Sequence, residues 1–277
     1  MRDELCVEFL QWALPQMNLR WPGFRRVRSQ VCKRLQRRIN QLGLAGEKDY
    51  RRYLAQHAEE WQTLDTLARI TISRFCRDKT MFAYLAQVVL PALAQRALAR
   101  GASCLKVWSA GAGAGEEPYT VAILWRLKLM AAFPDLRVHI VATDADARQC
   151  RRAERACYPY GSIKNLPAAW RDVAFTGQLR AERYCLKSAY RCDTEFRVQD
   201  IRESVPTGRF DLVLCRNLVF TYFDEPLQCA LLARIKGLMQ AGGALVIGIH
   251  EQLPDGITGL TAWSDRLRIY RLDDGPH

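Results

Sequence analysis

The sequence contains no apolar run approaching the roughly 20 residues of a membrane span, so it reads as a chain without membrane insertion. It has no Cys-x-x-Cys pair, and its 4 histidines are dispersed, which excludes the usual zinc-ligand spacings and gives an expectation of no metal. No internal repeat and no low-complexity tract is present, so solenoids and disordered arrays are set aside. The first residues, "MRDELCVEFLQWALPQM", are acidic and patterned where a secretory leader would be cationic and then apolar. They read as part of the fold of a cytoplasmic protein. Acidic residues are in short supply, with 29 Asp and Glu against 41 Lys and Arg and a net charge of +12. Between Arg20 and Arg52 there are 11 Lys and Arg but only Glu47 and Asp49 to oppose them. A surface of that kind attracts polyanions, whether nucleic acid, anionic lipid or an acidic protein.

Cysteine, in contrast, is plentiful: 10 residues spread from Cys6 to Cys229. In a reducing compartment these are expected to be free and mostly buried thiols. A nucleophilic role for Cys76 or Cys215, each next to an arginine, is the competing reading.

Hydrophobic spacing divides the chain. "FRRVRSQVCKRLQRRINQLG" sets Val27, Val31, Leu35 and Ile39 four residues apart with Arg and Lys between them, an amphipathic helix with a cationic outer face. "EKDYRRYLAQHAEEWQTLDTLARI" repeats the pattern, and "MFAYLAQVVLPALAQRALARG" predicts a helix kinked or restarted at Pro91. Residues 1–98 therefore read as a small helical domain. Beyond Gly101 the short apolar runs "CLKVWSA", "VHIVATD", "FDLVLCR" and "ALVIGIH" alternate with helical stretches, the pattern of an α/β, doubly wound, mostly parallel sheet over residues 99–277. About residues 158–199 the alternation breaks, and "RYCLKS" and "TEFRVQD" predict a short antiparallel β-insert.

The stretch "VWSAGAGAGEEPYT" carries the chemistry. Gly111, Gly113 and Gly115 follow the first strand, where open parallel sheets bind ligands. A phosphate cradle would not place Glu116 and Glu117 beside it, whereas a ligand with an ammonium group would gain from them. Asp144 ends the second strand in "VATDADA", where a carboxylate can accept from a ribose diol or else cap the next helix. A nucleoside with an ammonium and no phosphate describes S-adenosyl-L-methionine.

Read together, "WSAGAGAGEEPYT", "ATDADA" with "ACYPYGSIKNLP", "FDLVLCRNLVFTYFDEPLQ", "VCKRLQRRINQLG" and "ISRFCRD" resemble the bacterial chemotaxis receptor glutamate methyltransferases, the CheR family, over nearly the whole chain. The resemblance implies a Rossmann-like S-adenosylmethionine-dependent methyltransferase domain with a helical N-terminal domain and a β-insert. It implies a protein-glutamate O-methyltransferase that leaves S-adenosyl-L-homocysteine as product. In this sequence Ala110 and Gly111 would pass the methionine portion of the cofactor, and the Glu116–Glu117 pair would meet its ammonium. Asp144 would hold the ribose, Asp200 and Ile201 would flank the adenine, and Arg216 and Asn217 would complete the strand-end contacts. Arg77 would reach over the cofactor from the helical domain, Tyr222 would face the reactive methyl, and Ser73 keeps the hydroxyl of a family threonine.

Some positions depart from the family pattern. Thr71 stands where the family has asparagine, Asp200 replaces another asparagine, and one extra residue precedes Tyr222, so that Thr221 competes with it. The insert sequence "FTGQLRAERYCLKS" lacks the glycine-bearing hairpin with which some relatives dock a receptor tail, which argues against tethering. The basic helix Val27–Ile39 resembles the element that relatives set against acidic receptor helices. A cationic face also suits RNA, so other acceptors (a nucleic acid or a small molecule) and a noncatalytic S-adenosylmethionine-binding module stay open at this point. Against a nucleic acid acceptor, no Asn-Pro-Pro-Tyr-like motif follows the later strands.

Overall fold

The computed structural model describes residues 2–71, 73–177 and 183–274, arranged in two compact units. Residues 178–182, the middle of the insert sequence on which the tethering argument turned, lie outside the described residues.

The helical unit comprises Met1–Thr71 with Val219–Gln228. Its helices are α1 (Asp3–Ala13), α2 (Trp21–Phe24), α3 (Arg28–Gln41), α4 (Glu47–Gln56) and α5 (Glu60–Ala68). On α3 the four-residue period buries Val31, Leu35 and Ile39, as the spacing predicts, each burial stabilising the unit by about 1.5–3 kcal/mol. The cationic residues of α3 do not all face outward. Arg38 donates from Nε to Glu60 Oε1 at 2.8 Å and from Nη2 to Oε2 at 2.6 Å, and Tyr50 donates its hydroxyl to Glu60 Oε1 at 2.6 Å. Hydrogen bonding from Arg38 holds Glu60 below the ordinary carboxylate range, while burial pushes Tyr50 up. Arg34 donates to the Leu67 carbonyl at 3.1 Å. Lys33 and Arg37 remain exposed. The segment Val219–Gln228 joins this unit through its backbone: Arg20 N–H donates to the Tyr222 carbonyl at 2.8 Å, and Asp224 N–H donates to Asn18 O at 2.9 Å. Gly23 permits this approach, since a Cβ there would lie 2.2 Å from the Thr221 carbonyl oxygen.

The sheet unit comprises Ile72–Leu218 and Cys229–His277. Its strands are β1 (Cys104–Ala110), β2 (Arg137–Asp144), β3 (Cys157–Tyr158), β4 (Phe175–Thr176), β5 (Tyr184–Leu186), β6 (Thr194–Val198), β7 (Phe210–Cys215), β8 (Met239–Ile247), β9 (Leu260–Ser264) and β10 (Ile269–Leu272). Seven of them form one sheet in the order β6-β2-β1-β7-β8-β10-β9, and the neighbours from β6 to β8 all pair in parallel. This is the doubly wound, Rossmann-like arrangement read from the alternation of runs. Strands β3, β5 and β4 form a separate antiparallel sheet.

Four expectations need correction. "TEFRVQD" is not part of the insert: β6 pairs in parallel with β2, Ile140 opposite Thr194 through Asp144 opposite Val198, and forms the edge of the main sheet. The boundary expected at residue 98 lies near Thr71, because Met81, Leu85, Val89, Leu93 and Ala97 share one apolar core with Val107, Leu212 and Val246 of the sheet. Their helix, Lys79–Ala99, is 21 residues long and apolar enough to cross a membrane, against the reading of no such run, but its apolar face is spent on this core. Pro91 does not break it. A π turn at Leu85–Val89, closed by Leu90 N–H donating to the Leu85 carbonyl, widens the helix just before the proline and relieves the ring's clash with the preceding turn.

The thiols are corrected as well. Cys6 is bonded to Cys32, with their Cα atoms 5.9 Å apart, and Cys157 to Cys185 across β3 and β5, at 4.0 Å. The partners stand 26 and 28 residues apart in sequence, so only the fold shows that they meet. Loops of that length make each bridge worth about 3.5 kcal/mol in the chain-entropy account. Non-reducing digests should yield both crosslinked peptides, and reduction should lower the midpoint of thermal unfolding. Recovery of four free thiols at these positions from the oxidised protein contradicts the pairing.

Candidate active site

In the sheet unit the strand order reverses at β1, between β2 and β7, and the crevice beyond the carboxyl ends of these strands is where such folds take ligands. The chain leaves β1 through Gly111, whose φ of 73° is left-handed and whose absent Cβ would lie 2.8 Å from Leu218 Cδ2. Gly111 and Ala112 both donate their N–H to the Thr143 carbonyl, at 2.8 and 3.0 Å. Gly115, at φ 90°, starts the Glu116–Leu124 helix where a Cβ would meet Ala153 Cβ at 2.9 Å. Conformation and close approach both demand glycine there.

Asp144 knits the loop to the tip of β2. Its Oδ2 accepts from Gly113 N–H and its Oδ1 from Asp146 N–H, each at 2.8 Å. The cap of the following helix is Asp146, which accepts from Arg148 N–H at 2.8 Å, so the capping role considered for Asp144 belongs to its neighbour.

The adjacent glutamates part company. Glu117 accepts from Ser109 Oγ at 3.0 Å and from Arg216 Nη1 at 2.8 Å, joining the ends of β1 and β7. Glu116 is buried, at 3% exposure, and its Oε2 has no hydrogen-bond partner. Burial pushes its carboxyl above the ordinary value of 4.5, opposed by its own backbone and by hydrogen bonds from Ser73 and Ser162. Arg216 is itself buried, donates to Asp78 Oδ2 as well as to Glu117, and stacks over Phe82 with Cζ 5.7 Å from the ring centroid. Its Nε has no partner.

Arg77 lies in the sheet unit, not the helical one from which it was expected to reach. Its neighbour Asp78 pairs with Arg216. Both neighbours of Arg77, Cys76 (φ 48°) and Asp78 (φ 66°), are left-handed non-glycine residues, a costly backbone that its contacts hold in place. Phe75 N–H donates to Ser162 O at 3.0 Å and Cys76 N–H to Thr120 Oγ1 at 3.1 Å. Burial pushes the Cys76 thiol up to about 11, and Cys215 is fully buried, which removes both as nucleophiles.

At the other strand ends, Asp200 is held by Arg202, whose Nη2 donates to Oδ2 at 2.7 Å, and Ile201 is buried beside it. Asn217, at φ 54°, donates its backbone N–H to Glu251 Oε2 at 2.8 Å, and Gly248 N–H donates to the same oxygen at 2.5 Å. Sequence reasoning missed Glu251, as it missed Asp78 and Ser109. Glu251 ties the ends of β7 and β8, and its one signal was an acid just past the apolar run "ALVIGIH". Thr71, Thr221 and Tyr222 belong to the helical unit, where the Tyr222 ring packs on Phe24 at 5.0 Å between centroids. Among the described residues no three His, Cys, Asp or Glu side chains converge as a metal cluster would.

A family model described as "CheR methyltransferase, SAM binding domain" matches residues 71–264. The chain belongs to the CheR methyltransferase family. It is an S-adenosylmethionine-dependent methyltransferase, and its relatives extend the match to most of its length. A probable chemotaxis protein methyltransferase of Rhizobium etli is 33% identical, over 81% of this chain and 84% of that protein. The chemotaxis protein methyltransferase 2 of Pseudomonas aeruginosa is 32% identical over 80% of this CheR-family chain and 77% of its own length. The chemotaxis protein methyltransferase of Borreliella burgdorferi is 27% identical over 80% of each.

The residues present fit the cofactor. At Gly113 an added Cβ would meet only Ser73 Cβ, at 3.9 Å, so the loop is open there, and Glu116 offers a buried carboxylate oxygen lacking a donor, which an ammonium group supplies. Asp144, placed at the end of β2, suits a ribose.

Proposed function

We propose that this chain is a protein-glutamate O-methyltransferase that forms methyl esters on an acidic helical signalling protein of the chemoreceptor kind, without a metal. The observation that carries the cofactor half of this reading is the unpartnered Glu116 Oε2 at a glycine turn, an invitation to a cation where a phosphate would be repelled. The acceptor half draws on the relatives' names and on the exposed cations Lys33 and Arg37 of α3. S-adenosyl-L-methionine, when bound, supplies an electrophilic methyl group and is left as S-adenosyl-L-homocysteine.

Each side chain then has a distinct task. Glu116, kept ionised by an ammonium group beside it, would hold the cofactor's amino-acid end, and Asp144 would hold its ribose. Glu117 and Arg216 lock the tips of β1 and β7 so that the loop does not shift when the ligand enters. Asp200 and Ile201 flank the adenine, and Ala110, Gly111, Ser73, Thr71 and Asn217 complete the contacts. A glutamate acceptor has a reference pKa near 4.3 and is ionised at neutral pH, so no general base is needed. What the protein supplies is alignment and exclusion of water, with Arg77 gripping a carboxylate and Tyr222, or Thr221 beside it, orienting the acceptor oxygen.

The test is to incubate the protein with methyl-labelled S-adenosylmethionine and a cell lysate, then expose labelled protein to mild base. Release of the label as volatile methanol is the expected result. A label that survives base sits on nitrogen or carbon and overturns the acceptor assignment.

A further inference from the structure

Apart from the cofactor residues, one element carries a charge pattern that the reaction does not use. The Ala147–Arg155 helix has four arginines, Arg148, Arg151, Arg152 and Arg155, all exposed. Their spacing of 3, 4 and 7 residues from the first places them on one stripe of the helix surface. The opposite side is fixed to the sheet unit. Cys150 and Ala153 are buried, and the Cys150 thiol lies 3.7 Å from the carbonyls of both Asp144 and Arg197. Asp146 caps the start of the helix, and Ala156 (φ 51°) turns the chain away at its end. The stripe is thus displayed on a rigid support.

Little on the protein neutralises it. Arg148 Nε lies 3.7 Å from Asp146 Oδ1, and Arg152 donates to Gln149 Oε1 at 3.2 Å. Glu154 is the helix's one acid, off the stripe, and Glu195 of neighbouring β6 is paired with Arg197 at 2.7 Å. Among the described residues no carboxylate forms an ion pair with Arg151, Arg152 or Arg155.

We infer that this arginine stripe is a docking surface for an acidic α-helix of the protein substrate, a second contact in addition to α3. The inference rests on the reading of the acceptor as an acidic helical protein. From Arg148 to Arg155 the stripe spans about 10 Å of helix rise, and a facing helix with carboxylates three, four and seven residues apart repeats the same distances. The helix "ARQCRRAER" carries no aromatic ring on which a nucleic acid base could stack, and no large apolar side chain to enter a lipid surface. Charge complementarity with carboxylates is what it offers.

The experiment measures binding alone, so that it stands apart from the ester assay. Full-length protein is titrated into a fluorescent synthetic helix carrying glutamates on one face, and into its all-glutamine counterpart. The wild type should bind the glutamate helix in a salt-sensitive way, and R151A/R152A/R155A should bind it about tenfold more weakly. R151K/R152K/R155K, which keeps the charge, should recover most of the loss. Calorimetry on the R151A/R155A variant, which keeps the Arg152 charge that acts on Glu116, should give an unchanged affinity for S-adenosylmethionine, showing an intact sheet unit. Equal binding of the glutamate helix by wild type and the alanine variant overturns the inference. So does a loss confined to a single-stranded RNA oligonucleotide or to anionic phospholipid vesicles, tried in parallel. If the labelled methyl group proves stable to base while the peptide result holds, the acceptor chemistry falls and the docking surface stays.

Discussion

Glu116→Gln should weaken S-adenosylmethionine binding by roughly 10- to 100-fold and, at the same time, make the ligand-free protein more stable. The two effects have opposite signs because they come from one buried carboxylate with an oxygen that no donor reaches. A carboxylate in that position gives the cofactor's ammonium a charge-assisted partner, and glutamine offers only a neutral one. Without the cofactor the same charge is a burden. Burial raises the Glu116 pKa above 4.5 in the folded state, so between the ordinary value and the raised one the folded protein binds more protons than the unfolded chain. Its contribution to stability therefore falls as pH rises through that window and is fully lost above the raised value. Glutamine does not titrate. The gain in melting temperature of the variant should accordingly be largest at neutral pH and shrink as pH falls through the raised value towards 4.5. Cofactor affinity of the wild type should move the other way, weakening in acid as the carboxyl takes up its proton. Calorimetric titration and thermal unfolding, each across pH 5 to 8, read both trends. Wild-type affinity in the variant at neutral pH refutes the assignment of Glu116 to the ammonium.

That division of labour between neighbours was not legible in the sequence. Glu116 and Glu117 are adjacent, and residues one apart point about 100° away from each other on a helix. Glu116 meets Ser73 and Ser162, whereas Glu117 meets Arg216 at the end of β7. The parallel sheet was legible because β1, β2, β7 and β8 are continuous apolar runs, buried almost throughout. Strand β6 was read as a strand but assigned to the insert, because it is a partly exposed edge and its five residues "TEFRV" lack the apolar run of an inner strand. The left-handed Cys76 and Asp78, the Glu251 link between strand ends and the two disulfides all depend on partners distant in sequence. So does the transfer of Val219–Gln228 to the helical unit, which the amphipathic pattern of the first 71 residues does not announce. What periodicity conveys is which face is buried; it does not convey against whom.

Arg77→Ala should lower turnover by roughly 100- to 1,000-fold, the range seen when one charged or hydrogen-bonding stabiliser is removed from an active site, and should leave the fold intact. The fold survives because the segment around Arg77 is also held by groups other than its guanidinium. Phe75 and Cys76 are fixed through their backbone N–H groups, and Asp78 is fixed by Arg216. Two left-handed residues flanking a single arginine are hard to explain as stabilisers, since such conformations are costly for residues with a Cβ, and they make sense where the side chain between them has to be aimed. Separate measurements of cofactor affinity and turnover identify what it is aimed at. If Arg77 holds the cofactor's carboxylate, the dissociation constant for S-adenosylmethionine rises with the loss of rate. If it grips the acceptor glutamate, that constant stays put while turnover at saturating cofactor collapses. Arg77→Lys separates charge from geometry: the ammonium keeps the charge but not the planar fork that pairs with both oxygens of a carboxylate, so it should restore only a small part of the lost rate. Full activity in the lysine variant reduces the residue to a point charge, and full activity in the alanine variant removes it from the reaction.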